Sequence, residues 1–132
     1  MSHSVKLDAK FKIDQKDSLR RAFENLGWSL KENSTARTYS YDEAKSTKYP
    51  LVAVNPQSNG YDLGLQFNDK TGEIEVIGDF YGGSVAASLG QNLDRLKQEN
   101  QACVFEDHFA YFGYSTTRNV LENGEIEMLA EQ

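Results

Sequence analysis

Residues 61–80 read YDLGLQFNDKTGEIEVIGDF, and no other stretch limits the possible folds as much. Tyr61, Leu63, Leu65 and Phe67 alternate with Asp62, Gly64 and Gln66. Beyond a turn, Ile74, Val76 and Phe80 alternate with Glu73, Glu75 and Asp79. A period of two marks a strand with one buried face. Asp69, Lys70, Thr71 and Gly72 supply a four-residue hairpin loop. That loop pairs Phe67 with Ile74, Leu65 with Val76 and Tyr61 with Phe80. A slip of one residue sets Phe67 and Leu65 opposite glutamates, so the pattern selects its own register. The chain is therefore expected to hold an antiparallel sheet.

Residues 5–13 alternate in the same way, with Val5, Leu7, Ala9, Phe11 and Ile13 on one side and Lys6, Asp8, Lys10 and Lys12 on the other. Asp14 can cap the helix that follows. Leu19, Ala22, Phe23 and Leu26 fall at i, i+3, i+4 and i+7, a single apolar stripe. Gly27 stands where a left-handed terminal residue is wanted, and Trp28 follows at the usual hydrophobic position. Residues 28–32 and 35–41 read as short strands, 42–50 as a loop, and 51–54 as an apolar strand closed by the turn NPQSNG.

Gly82 and Gly83 break the hairpin strand, and Ser84 is placed to cap a second helix. Leu89, Leu93 and Leu96 carry that helix forward, and Phe105, Phe109 and Phe112 repeat the spacing. The polar run 98–101 marks a bend, or a junction of two helices. Gly113 ends the segment. Asn123-Gly124, between residues 114–121 and 125–130, signals a hairpin with a two-residue loop. That loop pairs Leu121 with Ile126 and Asn119 with Met128. The predicted order is β-α-β-β-β-β-β-α-β-β. It describes one α+β domain over residues 1–132, an antiparallel sheet with two helices packed on one face.

A chain of 132 residues buries roughly two-thirds of its unfolded surface and needs no staples. Its one cysteine, Cys103, excludes an internal disulfide framework and suits a reducing cytoplasm. No apolar run approaches the roughly 20 residues that span a bilayer, and the start MSHSVKLDAK has no signal-peptide core. The expectation is a cytoplasmic protein without a membrane segment. A net charge of −6 argues against general nucleic-acid binding. That charge is uneven. Residues 1–50 carry 10 Lys/Arg and 7 Asp/Glu, whereas residues 51–132 carry 4 and 13. The acidic half is a candidate surface for a protein partner, either a basic one or the basic half of another copy of the chain.

Several local features together resemble a known family. They are the Met1-Ser2-His3 start, the helix ending Asn25-Leu26-Gly27-Trp28, and Asn59-Gly60-Tyr61-Asp62-Leu63-Gly64. The run Asp79-Phe80-Tyr81-Gly82 and the closing Asn123-Gly124 belong with them. The chain resembles, over nearly its whole length, the hypothetical chloroplast open reading frame thirty-five family, a domain of unknown function. The resemblance implies a soluble protein of a cyanobacterium, a plastid stroma or a cyanophage-infected cell. It carries no assigned site residues, because the shared residues are fold markers.

No catalytic constellation is legible. Cys103 and His108 are five apart and point about 140° from each other on a helix, so no tetrahedral zinc site can be read. Cys103, between Ala102 and Val104, reads as a small core residue. His3 reads as a terminal residue and His108 as a solvent-facing one. No cofactor is implied. Gly82, Gly83 and Ser84 before a helix could receive an anion, yet no lysine follows at P-loop spacing. Arg37, Tyr39 and Tyr41, with Lys6, Lys10 and Lys12, are the residues a nucleic acid would use. Alternating lysines on a strand are more simply its solvated side.

The opening hairpin raises one further question. Its register sets Asp62 opposite Asp79, and like charges directly across a ladder are destabilising. An arginine or lysine from a neighbouring strand, a bulge at Gly78, or solvent could relieve the pair. So could a shared proton or a hard divalent cation. The candidate ligand-binding residues are therefore Asp62, Asp79, Tyr81, Gly82, Gly83 and Ser84. The leading expectation is a small non-catalytic binding or accessory protein. The alternative is a small-ligand or metal-dependent enzyme centred on Asp62 and Asp79.

Overall fold

The computed structural model describes residues 5–39 and 43–132. Five strands, β1 (Val5–Lys12), β2 (Ser29–Thr35), β3 (Lys48–Val54), β4 (Leu63–Asn68) and β5 (Glu73–Gly78), form one antiparallel sheet. Their order across it is β1-β5-β4-β3-β2. The helices are α1 (Lys16–Asn25), a short α2 (Ser84–Leu89) and α3 (Asp94–Tyr111). A separate hairpin, β6 (Ser115–Val120) and β7 (Ile126–Glu131), closes the chain. The fold is α+β, as the order of elements implies.

The β4–β5 hairpin has the register its pattern demands, with Phe67 opposite Ile74 and Leu65 opposite Val76. The Gly72 N–H donates to the Asn68 carbonyl at 2.8 Å, and Gly72 takes φ +72°, which favours glycine. Strands β1 and β2 lie at opposite edges of the sheet, so α1 must cross its face between them. There Leu19, Ala22 and Phe23 meet Phe11, Leu51, Leu65, Ile74 and Val76 in one buried cluster. Leu26 and Phe67 pack at its margin. Each fully buried Leu or Phe contributes about 1.5–3 kcal/mol relative to exposure. The cluster continues through Val85 and Leu89 of α2 and Leu93, Leu96 and Cys103.

Helix α1 ends as Gly27 and Trp28 foretell. Gly27 takes φ +88°, its N–H donates to the Glu24 carbonyl, and the Trp28 N–H donates to the Phe23 carbonyl at 2.9 Å. The Phe23 and Trp28 rings then meet at 5.9 Å, so the cap is also core. Helix α3 repeats the device, with Gly113 at φ +82°, the Tyr114 N–H on the Phe109 carbonyl and the two rings 5.6 Å apart.

Several expected details change. Asp14 does not cap α1: it lies in a 3-10 turn, Ile13–Gln15, that precedes the helix. Ser84 is the first residue of α2 rather than its cap, and its hydroxyl accepts the Tyr61 N–H at 3.1 Å. Strand β3 begins at Lys48, inside the expected loop. Thr35 closes β2, and residues 36–39 pair with no strand, because the Arg37 and Tyr39 N–H groups are taken by the carboxylates of Asp62 and Asp79. Tyr41 lies outside the described residues.

The long helical segment breaks earlier than the polar run suggests. Gly90 at φ +84° and ψ 163° leaves the helix, and a Cβ there would lie 2.8 Å from the Arg95 nitrogen. Residues 98–101 instead sit inside uninterrupted α3. Two of them are buried: Asn100 accepts from the Ser18 hydroxyl at 3.2 Å, and Glu99 accepts from Asn25 at 3.1 Å.

The last hairpin has a three-residue loop, not two. The Leu121 N–H donates to the Glu125 carbonyl at 2.8 Å, the Gly124 N–H donates to the Leu121 carbonyl, and Gly124 takes φ +86°. The turn is thus followed by a left-handed glycine. Val120 pairs with Ile126 and Arg118 with Met128. This shift of one residue brings Arg118, rather than Asn119, onto the side of Met128.

Candidate functional site

Asp62 and Asp79 are not on a wet face. They are 4% and 1% exposed, and both lie just past the ladder, which ends at the Leu63–Gly78 pair. Asp62 is held by Arg37. The Arg37 Nη2 donates to Oδ1 at 2.9 Å and Nε to Oδ2 at 3.0 Å. Backbone N–H groups of Arg37 and Asn55 add bonds of 2.8 Å each to the same carboxylate. The rest of the guanidinium donates to the carbonyls of Asn55, Gln57 and Ser58. One side chain therefore closes the turn between β3 and β4. The Asp62 carboxylate holds the Arg37 proton more firmly than an isolated arginine would. Asp79 accepts from the Thr38 hydroxyl at 3.3 Å and the Tyr39 N–H at 3.2 Å. The two carboxylates are thus drawn to successive points of one crossing segment, and the arginine answers the charge of the first.

Gly82 and Gly83 both take positive φ, 79° and 77°, in the turn ahead of α2. Ser84 is engaged with Tyr61, and the Tyr81 side chain lies outside what the structure describes. These residues neighbour Asp79 in sequence, and Ser84 reaches the Asp62 turn through the Asn55 amide, which donates to its carbonyl at 3.4 Å. Among the described residues, no group of three or more His, Cys, Asp or Glu side chains is placed to hold a metal ion.

A second polar cluster was not foreseen. Arg118 reaches from β6 onto α3, where Nη1 bonds Glu99, and Nε and Nη2 bond Glu106 at 3.0 and 2.9 Å. From α1, Arg21 donates to Asp107 at 2.9 Å and to the Cys103 carbonyl at 3.0 Å. Hydrogen bonds from Arg118 lower the Glu106 pKa, and Glu106 in turn raises that of Arg118. Burial pushes the Cys103 thiol up. The signal was available in part: Glu99, Cys103 and Glu106 fall at i, i+4 and i+7, one face of a helix. Their partner was hidden by the hairpin register, which the Asn-Gly pair misplaces by one.

Beside this cluster lies a groove of about 590 Å³ between α3 and β7. Its lining includes Ala102, Val104, Phe105, His108 and Phe109 of α3 and Ile126 and Met128 of β7. Rings line up along the helix, with Phe105–Phe109 at 4.6 Å and His108–Phe112 at 5.3 Å. At the end of α3 Tyr111 is 85% and Phe112 58% exposed, while Leu129, 53% exposed, lies on the other face of β7 from Ile126 and Met128. His108 is solvent-facing, as expected, yet it is ringed by aromatics. Met128 was assigned to the hairpin and Phe105 and Phe109 to the helix from sequence, but nothing in their spacing shows that the two elements leave a gap.

Comparison with known proteins finds no matching family model, no matching curated protein and no matching solved structure. No helix among the described residues is long and apolar enough to cross a membrane.

Proposed function

We propose that this chain is a small, non-catalytic accessory protein that works through a protein partner docked on the α3–β7 groove. The observation behind this reading is the groove itself, mostly apolar in its lining and followed along α3 by the exposed rings of Tyr111 and Phe112. Contiguous exposed apolar patches on soluble proteins commonly mark interaction sites. Apolar surface left in water at Phe112 and along the groove is surface a partner could bury, at about 25 cal/mol per Å².

The charge on the outer face of β7 and its turn argues for a basic partner. Glu125, Glu127 and Glu131 are exposed on β7 and its turn, and Asp107 is exposed on α3. Lys97 is only half-exposed and lies near Asp94, while Arg118 is engaged with two glutamates. A second copy docking through this same face would bring like charges together, whereas a basic segment meets complementary ones. The resemblance to the plastid and cyanobacterial family fits a soluble accessory protein and is part of this proposal, as is a cytoplasmic or stromal setting.

The test is retention of proteins from a lysate of the source cells on wild-type protein and on an E125K/E127K/E131K variant, at low and high salt. A partner held by wild type at low salt, released as charges are screened within about 8–10 Å, and lost in the variant supports the reading. Identical retention profiles for the two proteins would count against it.

A further inference from the structure

We infer that the outer edge of β7 accepts an added strand, an extended segment of a basic protein partner in which apolar and basic residues alternate. This rests on the docking reading above and specifies its occupant. The bond from the Leu121 N–H to the Glu125 carbonyl fixes the phase of the β6–β7 ladder. Bonded and non-bonded pairs alternate along an antiparallel ladder. Asn119–Glu127 and Thr117–Leu129 are therefore the bonded pairs. Ile126, Met128 and Ala130 direct their N–H and C=O groups away from β6. Among the described residues the sheet has two strands only, so no strand meets that edge.

The groove lies under the same edge. Ile126 and Met128 line it, and no β6 residue does. A strand added about 4.8 Å beyond β7 continues the hairpin across α3, and every second side chain of it enters the groove over Phe105 and Phe109. The alternate side chains emerge on the opposite face, level with Glu127 and Glu131. Apolar residues suit the first set and lysine or arginine the second. A helix laid in the groove would meet the aromatics but leave the β7 edge groups to water.

The test uses synthetic peptides on the full chain, read by fluorescence anisotropy and amide exchange. One peptide alternates lysine and valine. A second has the same composition in two blocks, and a third carries lysine and leucine at helical spacing. The alternating peptide is expected to bind at least about tenfold tighter than the block peptide. It should slow exchange at the Ile126, Met128 and Ala130 amides. Ala130→Pro removes one edge N–H that the β6 ladder does not use, and should abolish binding. Glu127→Lys, on the face away from α3, should weaken binding without touching the fold. Equal binding of the alternating and block peptides overturns strand addition. Tighter binding of the helical peptide, without protection of those amides, also overturns it but leaves docking in the groove standing. If no peptide binds, the inference fails, and the lysate comparison then judges the docking reading by itself.

Discussion

The five-stranded body and the α3–β6–β7 region are built on different principles. In the body, α1 presses Leu19, Ala22 and Phe23 into the sheet, and the buried carboxylate of Asp62 is met by Arg37 and two backbone N–H groups. Apolar and polar needs are both satisfied there. The hairpin joins α3 through Arg118, held by Glu99 and Glu106, and through the Gln98 amide on the Gly124 carbonyl at 2.9 Å. At the end of α3 the rings of Tyr111 and Phe112 remain largely in water. The contrast teaches where a partner can act: a closed core offers nothing to recover, whereas an element fastened by charge beside an unfilled groove does.

Substitutions can break this comparison in order of expected size. Phe23→Ala should cost about 3–5 kcal/mol in urea unfolding, because the cavity opens at the centre of the body. Arg37→Ala should cost about 2–3 kcal/mol. It strips the partner from a buried carboxylate, but Arg37 itself is partly open to solvent, which moderates the loss. Arg118→Ala should cost about 1–2 kcal/mol and loosen the hairpin more than the sheet. Acid should sharpen the same distinction. The Glu106 pKa is lowered in the fold, so its contribution is present above the ordinary glutamate value of about 4.3 and is lost as pH falls through the lowered one. Resonances of the Arg118 side chain and its hairpin neighbours should therefore shift only as pH falls below the ordinary glutamate range. Leu129→Ser should change stability by less than about 0.5 kcal/mol, because that side chain buries little in the free chain.

The same contrast governs what the sequence made legible. Period-two alternation around the 69–72 turn set the β4–β5 register, since any slip exposes Phe67 and buries glutamate. The α1 stripe and its Gly27-Trp28 ending were equally plain. These are local rules with a strong apolar penalty behind them. The last hairpin carries weaker patterning, with Thr116, Arg118 and Val120 on its inner side, so the Asn-Gly turn decided the expected register and was off by one. Asp62 and Asp79 were expected to face each other across the ladder, but the ladder ends at the Leu63–Gly78 pair and each carboxylate turns to the 37–39 segment. The outcome depended on Arg37, 25 residues away, a contact no spacing rule reports. A lysine or arginine from a neighbouring strand was among the expected remedies, whereas Arg37 lies past the end of β2. The groove was invisible because it is a gap between elements, and patterning describes what each element buries, not what two of them leave open.

The central claim is that the hairpin is a separately held element whose attachment runs through Arg118. Native-state amide exchange tests it most directly. The amides of Glu127 and Leu129 should open at a lower free energy than those of Leu65 and Val76, and Arg118→Ala should lower the first pair while leaving the second unchanged. If all four amides exchange at one common free energy, and the substitution lowers them equally, the hairpin is an integral part of the body and the account is contradicted.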